Sequence, residues 1–448
     1  MRAELDEKAG RMAWRRGRAD EAVALLTEAL AFLERENLKH PVARVSSVLA
    51  EIDFREGRAS EAVERLERAL AELRGVEPDA DVAEASAQLG RFLIMSDALD
   101  AAVPHLELAL VLAQALELRE ILVHALTSKS VMYIRTNRLE EARILLEGAL
   151  ATARTHDLPS AAIRAINNLS VVFESSDLFT AAADVADQGQ ELARRIGDKL
   201  WEVNFLIGGL SACVMVGRWE EAYPRAAEAE ELVPESARLP TMVPLFLNEI
   251  DCARGALDAA RARLERSAWL QDADTAQIRT MYLLHLAQLL RLEGNTRAAL
   301  DVLEPVLALT ELGITYLTTK LSFVEALEAA FELGDIGRLE ELLVTIESLR
   351  PGERPPLLDA HARRFRAKLS GDEAGFTAAA SRFRDLEMPF WLAMTELEHA
   401  ELLSEQGRGS EAEPLLADAR EIFERLEARP WLERAAALGP EQPAEVSV

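Results

Sequence analysis

Small and large apolar positions return in the same order about every 40 residues along this chain. A turn position can be followed through Gly17, Gly57, Asp97, Asn137, Asp177, Gly217, Gly255, Gly294, Gly334, Gly371 and Gly407. Five residues after it stands an alanine in nine of these units, as in Ala22, Ala62, Ala102 and Ala142, whereas Leu339 and Phe376 take that place in the ninth and tenth. Nine residues after it stands Leu26, Leu66, Leu106, Leu146, Leu264, Leu303, Leu343 or Leu416, and twelve after it Ala29, Ala69, Ala109, Ala149 or Ala229. Offsets of four, three and seven mark one face of an α-helix. The alanine lets a second helix come close, and the leucine fills the groove one turn on.

The segment before each turn is also helical, with a small residue seven positions ahead of it at Gly10, Ala50, Gly90, Ser130 and Ser170. Each unit therefore reads as helix A, a short turn and helix B. Gly, Asn or Asp at the turn suits a residue with positive φ. Asp20, Ser60, Asp100, Thr180, Asp258 and Ser410 stand where an N-cap of helix B is expected. Asp81 with Glu84, and Asp274 with Gln277, read as capping boxes opening helix A, which removes two Asp-Ala-Asp strings from the list of metal sites. The spacing slips around Val233–Pro244, where three prolines predict a loop, and again after Arg350–Pro356, where the ninth and tenth repeats are expected to be the most distorted.

A fixed period of this length means a repeat architecture. The small-residue, glycine and alanine positions resemble those of tetratricopeptide repeats over nearly the whole chain. The period exceeds the usual 34 residues by about six, roughly 9 Å of extra helix at 1.5 Å per residue. That long variety is similar to the helical-repeat arms of MalT-like bacterial signalling ATPases and of kinesin light chains. Ala165-Ile-Asn-Asn-Leu-Ser-Val-Val-Phe173 is the best single match, and Phe423–Leu432 looks like the C-terminal end of such arms in actinobacterial ATPase or cyclase regulators. The resemblance implies an all-α fold, a right-handed superhelical solenoid of about eleven helix-turn-helix repeats with a closing C-terminal helix. The expected division is residues 1–350 as repeats one to nine, with the first helix as cap, 351–438 as the last repeats and closing helix, and 439–448 as a disordered tail.

In the repeat family helix A lines the concave surface, and fixed offsets before the turn face it. Carried onto this chain, those offsets give a polar, locally basic strip of Arg91, His124, Thr127, Arg135, Arg164, Asn167, Asn168 and Asn204, flanked by Arg44 and Gln88. Asn168 matches the family position whose amide pairs with the backbone of an extended peptide, an amide being both donor and acceptor. Arg91, Arg135 and Arg164 would favour an acidic segment. The same strip also reads as a solvated face with its arginines paired to Glu51 and Glu84. In repeats seven to nine the equivalent positions are apolar: Met242, Leu245, Met281, Leu284, Leu321 and Val324.

Charge narrows the partners. The chain of 448 residues carries a formal net charge of −27, and the acidic excess is spread along it. That argues against nucleic acid or an anionic membrane as partner, since phosphate neutralisation needs clustered cations. The one basic run, His361 with Arg363, Arg364, Arg366 and Lys368, reads as a solvated helix face. Cys213 and Cys252 read as buried small hydrophobes. No nucleotide-binding, zinc-protease or nucleophile-elbow motif occurs, so no catalytic residue, cofactor or metal is assigned. The first residues have no apolar signal core, and no run of 18 apolar residues exists, making the cytoplasm the default location. The expectation is a non-catalytic scaffold that binds a protein or extended peptide of acidic character in the groove. The alternative is the sensor arm of a signal-transduction ATPase or cyclase-type regulator, separated from its nucleotide-binding domain.

Overall fold

The computed structural model describes residues 2–16, 18–232, 243–273, 275–308 and 313–438. It is 83% helical, with 23 α-helices and no strand among the described residues. The chain divides into two compact units, residues 1–169 and 170–448. Residues on both sides of position 350 lie in the second unit.

In the first unit α1 (Arg2–Arg15) pairs with α2 (Ala19–Arg35), α3 (Lys39–Arg55) with α4 (Ala59–Glu72), α5 (Ala80–Met95) with α6 (Leu99–Ala115), and α7 (Arg119–Arg135) with α8 (Leu139–Thr155). The division falls within α9 (Pro159–Ser175), whose partner in the repeat is α10 (Phe179–Ile196). The second unit continues with α11 (Lys199–Met215) and α12 (Trp219–Leu232), α13 (Asn248–Arg254) and α14 (Leu257–Arg266), and α15 (Ala276–Leu292) and α16 (Thr296–Leu307). Then follow α17 (Leu317–Glu332) and α18 (Ile336–Glu347), α19 (Pro356–Ser370) and α20 (Glu373–Asp385), α21 (Pro389–Glu405) and α22 (Gly409–Leu426), and the closing helix α23 (Arg429–Ala436). This is the expected eleven pairs and a closing helix. The Val233–Met242 stretch, Asp274 and the 439–448 tail lie outside the described residues, as does Gly17.

The packing follows the pattern of small and large residues. Every alanine five after a described turn is buried, and Leu339 and Phe376 occupy the same slot in the ninth and tenth repeats. A Cβ on Gly10 would come within 2.7 Å of Leu26 Cγ, and one on Gly90 within 2.7 Å of Leu106 Cγ. The small residue of helix A thus receives the leucine of helix B, and the two helices close on each other there.

The turns are left-handed at Gly57, Asp97, Asn137, Asp177, Gly217, Gly255, Gly294, Gly334, Gly371 and Gly407. The next amide reaches back five residues, as Arg58 N to Asp53 O at 2.9 Å and Ala98 N to Leu93 O at 2.8 Å, which satisfies the helix C-terminus. The same turn joins helix B to the next helix A at Asn37, Glu117, Asp157, Gly197, Glu387 and Glu427. This cadence leaves no room for a separate cap. Helix B starts two residues earlier than expected, so Arg18, Arg58, Ala98, Leu178, Ala256 and Arg408 occupy the N-cap, without a side-chain hydrogen bond to the helix end. Asp20, Ser60, Asp100, Thr180, Asp258 and Ser410 lie inside the first turn, where the carboxylates among them still favour the helix dipole. At α5 the cap is Asp79, accepting from Asp81 N at 2.9 Å and Val82 N at 3.2 Å, while Asp81 instead meets Arg44 Nη1 at 3.1 Å.

The most irregular repeat is the seventh, not the ninth or tenth: a 3-10 segment, Val243–Leu247, precedes a helix of only 7 residues. In the second unit the repeats also close on one another. Leu206, Leu210 and Ile250 share one core with Leu397, Leu416 and Phe423. Phe179 and Met215 share another with Leu284, Leu321 and Phe383.

Candidate functional site

The strip expected on the helix A faces is partly assembled in the first unit. Successive A helices set side chains one period apart side by side. Arg164 Nη1 of α9 donates to His124 Nδ1 of α7 at 2.9 Å. His124 is neutral there: burial first, then the charges of Arg164 and Arg91, push it down to about 3. Its Nδ1 can therefore accept, with the proton on Nε2. Burial, and then Arg91, draw Arg164 down to about 10. Among the described residues no carboxylate lies within ion-pair distance of Arg164.

Glu84 of α5 reaches this site only through space. Burial, opposed by a 2.8 Å bond from Gln88 Nε2, holds its carboxyl above the usual range. Arg91 is committed: it pairs with Glu51 and lies over the rings of Phe54 and Phe92, which stack with centroids 4.4 Å apart. Arg44 forks onto Glu7 at 2.8 and 3.0 Å. Asn168 donates one amide hydrogen to Arg164 O at 2.8 Å, which leaves the second N–H and the carbonyl oxygen of an amide. Asn167 is half-buried on the same helix.

The other expected members are not brought together with these. Thr127 is fully buried, so it faces the helix packing and no groove. Arg135 pairs with Asp97 at 3.1 Å. Asn204 is half-buried in the second unit. Leu245, Met281, Leu284, Leu321 and Val324 are buried in the core of that unit and form no open apolar groove.

The basic run on α19 is not a solvated face. Arg364 and His361 are fully buried, and Arg364 forks onto Glu398 at 2.6 and 2.6 Å while reaching Glu328 at 2.6 Å. Lys368 joins Glu398 at 2.6 Å, and Arg366 joins Glu340 and Glu347. The two partners of Arg364 lie about one repeat away in sequence, and that spacing of opposite charges is the signal a local reading passes over. Both cysteines are free and buried, as expected of small hydrophobes. Among the described residues no cluster of His, Cys, Asp and Glu could hold a metal ion, and no helix is long and apolar enough to cross a membrane.

The helix pairing, the left-handed turns and the alanine–leucine slots together decide the architecture. The fold is a tetratricopeptide-like helical repeat. A family model for the tetratricopeptide repeat matches residues 1–73. No curated protein matches the repeat chain in sequence. Among solved structures it is similar to a signal transduction ATPase with a tetratricopeptide repeat sensor from Pyrococcus horikoshii, at 14% identity and a TM-score of 0.49, over 62% of this chain and 44% of that one. The repeat chain thus spans under half the length of that ATPase. It is also similar to the apo quorum sensor NprR from B. thuringiensis, at 14% identity and a TM-score of 0.43, over 88% of this chain and 99% of that one. A Rap protein complexed with competence and sporulation factor matches at 13% identity and a TM-score of 0.46, over 89% and 100%.

Proposed function

We propose that the protein is a non-catalytic scaffold whose first unit holds an extended, acidic peptide segment along the A helices, with Arg164 as anchor. The observation that carries this reading is Arg164 itself. A half-buried guanidinium normally sits against a carboxylate. Here its hydrogen-bond partner is a neutral imidazole, and the cation is left with donors for an incoming carboxylate or peptide carbonyl. Asn168, one turn along α9, offers an amide to the peptide backbone, and Glu84 offers an acceptor to a peptide N–H. Arg91 and Arg135 have internal partners, so their share in recognition is smaller than their charge suggests.

The test is an array of extended peptides of graded charge, probed with the intact chain and with Arg164→Ala and Asn168→Ala. Acidic peptides should bind preferentially, weaken with added salt, and weaken in both variants, by about tenfold or more for Arg164→Ala. Equal retention of the same peptides by wild type and both variants across the salt series would remove the first unit from consideration.

A further inference from the structure

The second unit contains a different kind of site. A cavity of about 60 Å³ is lined by the rings of Phe390, Trp391 and Trp431 and by the carboxylates of Glu249, Glu325 and Glu328. An adjoining one of about 30 Å³ is apolar, walled by Met215, Met281, Leu284, Leu317 and Leu321. Glu249 lines both. The elements that meet here are far apart in sequence: α13, α15 and α17 supply the charges, while α21 and α23 supply the rings.

The charges in the aromatic cavity are not balanced. Arg291 is engaged by Glu325 at 2.5 Å and by Glu332 at 2.7 Å. Glu328 is engaged by Arg364 at 2.6 Å. Glu249 has no cation within ion-pair distance among the described residues; its contact is a long one, 3.4 Å from Gln288 Nε2. Burial pushes its carboxyl up to about 7, opposed by the hydrogen bond from Gln288 and, to a lesser extent, reinforced by the nearby charge of Glu325. A second group lacks a partner in the adjoining cavity, where the hydroxyl of Thr318 is buried without a hydrogen bond. The indoles already lie against guanidinium groups, Arg364 at 5.8 Å from Trp391 and Arg434 at 5.6 Å from Trp431, so this ring wall accommodates positive charge.

We propose that these two cavities, which share Glu249 in their walls, bind a small organic monocation, an alkylammonium or guanidinium head with a short apolar chain, and that Glu249 is its counter-charge. Aromatic faces attract such a head through their quadrupole, more strongly when water is excluded. An ammonium brings three donors, enough for the Glu249 carboxylate and one further acceptor. The chain would lie among the methionines and leucines, where it displaces poorly bonded water. At roughly one water centre per 10–15 Å³, the two spaces hold only a few waters each, which fits a head group and a few methylenes and excludes a bulky ligand. The head group could belong to a free amine or to a lysine side chain of a partner protein, and the two share this chemistry.

Calorimetric titration of the intact chain distinguishes them. The probes are n-butylammonium chloride, its neutral counterpart n-butanol, and N-acetyl-lysine methylamide. Butylammonium should bind at least tenfold more tightly than butanol, and Glu249→Gln should lose about that factor. Trp431→Leu should weaken the ammonium more than the alcohol, a contrast that a merely destabilised fold would not produce. Because Glu249→Gln removes a buried charge, its urea midpoint at pH 7.5 should equal or exceed that of wild type, which separates lost binding from lost folding. If the lysine amide matches butylammonium, the natural occupant is a protein side chain; if the free amine alone binds, it is a small metabolite. Absence of measurable butylammonium binding, or equal affinity in Glu249→Gln, would overturn the proposal.

Discussion

Lys320 sets its ammonium against the carboxylate of Asp177, 143 residues away, with both side chains fully buried. The ammonium also donates to Glu174 O at 3.0 Å and Ser175 O at 3.4 Å, the last carbonyls of α9. The other Asp177 oxygen accepts from Leu357 N at 2.8 Å. One turn residue thereby joins the fifth, ninth and tenth repeats, and the second unit closes on itself there. A stack in which each repeat touches only its neighbours has no such contact. Removing one partner strands a buried charge, which typically costs about 3–5 kcal/mol, whereas replacing both can be neutral. Lys320→Met should therefore be severely destabilising, and Lys320→Met with Asp177→Asn much less so, Asn retaining the left-handed turn. Urea unfolding of the two variants checks this; equal loss in both would deny the pairing its role.

The alanine slots make a second prediction. Ala62 and Ala142 are fully buried where helix B crosses helix A. Ala62→Leu or Ala142→Leu should cost about 1–3 kcal/mol by overpacking. Hydrogen exchange should speed up in the altered repeat and its neighbours, within the first unit. Unchanged melting of both variants would contradict the packing role.

Such slots were legible because they are local. A small residue seven before the turn and a leucine nine after it meet wherever the two helices exist, as at Gly90 and Leu106. Left-handed Glu117, Glu387 and Glu427 carry no such mark, since glutamate has no preference for that conformation and takes it here because helix B must stop after a fixed length. Arg364 was misread for another reason. On its own helix it belongs to a basic run, and only the partners Glu328 and Glu398, 36 and 34 residues away, show that it is interior. Of the strip, the meeting of His124 with Arg164 was readable from a one-period offset, but the burial of Thr127 depends on helix rotation, which the offsets do not resolve. Contacts across the second unit, on which the aromatic cavity depends, leave no periodic trace at all.

Burial at Glu396 gives a pH dependence of definite sign. Its carboxyl is pushed up to about 7 by burial, eased by Arg384 and reinforced by Asp418. One of its oxygens is buried without a hydrogen bond. With an unfolded value of about 4.3, the folded state binds the extra proton between the two values, so this group's contribution to stability falls as pH rises from about 4.3 to about 7. At about 1.4 kcal/mol per pKa unit this amounts to at most about 4 kcal/mol, and to less as far as solvent screens the carboxyl. Glu396→Gln should flatten that part of the profile, measured by urea midpoints from pH 5 to 8. A variant profile parallel to wild type would show the carboxyl to be better solvated than its surroundings indicate.

Arg364 supplies the opposite case. Its charge, and that of Lys368, outweigh burial and hold Glu328 and Glu398 below the usual carboxylate range. Depressed groups contribute stability that is present above about pH 4.3, and it is lost as pH falls through their lower folded values. Arg364→Met leaves Glu328 and Glu398 buried with Lys368 as the remaining neighbour, so at pH 7 the variant should lose about 3–5 kcal/mol. Both carboxyls then titrate upward in the folded variant, and protonation removes the stranded charge. The difference between wild type and variant should therefore shrink as pH is lowered from 7 to about 4.5, a window in which the wild-type contribution of these two depressed groups is still in place. Paired urea titrations at the two pH values measure it. A mutational cost that is the same at both would mean that the guanidinium stabilises α19 by packing against Phe365 and Trp391, with its ion pairs contributing little.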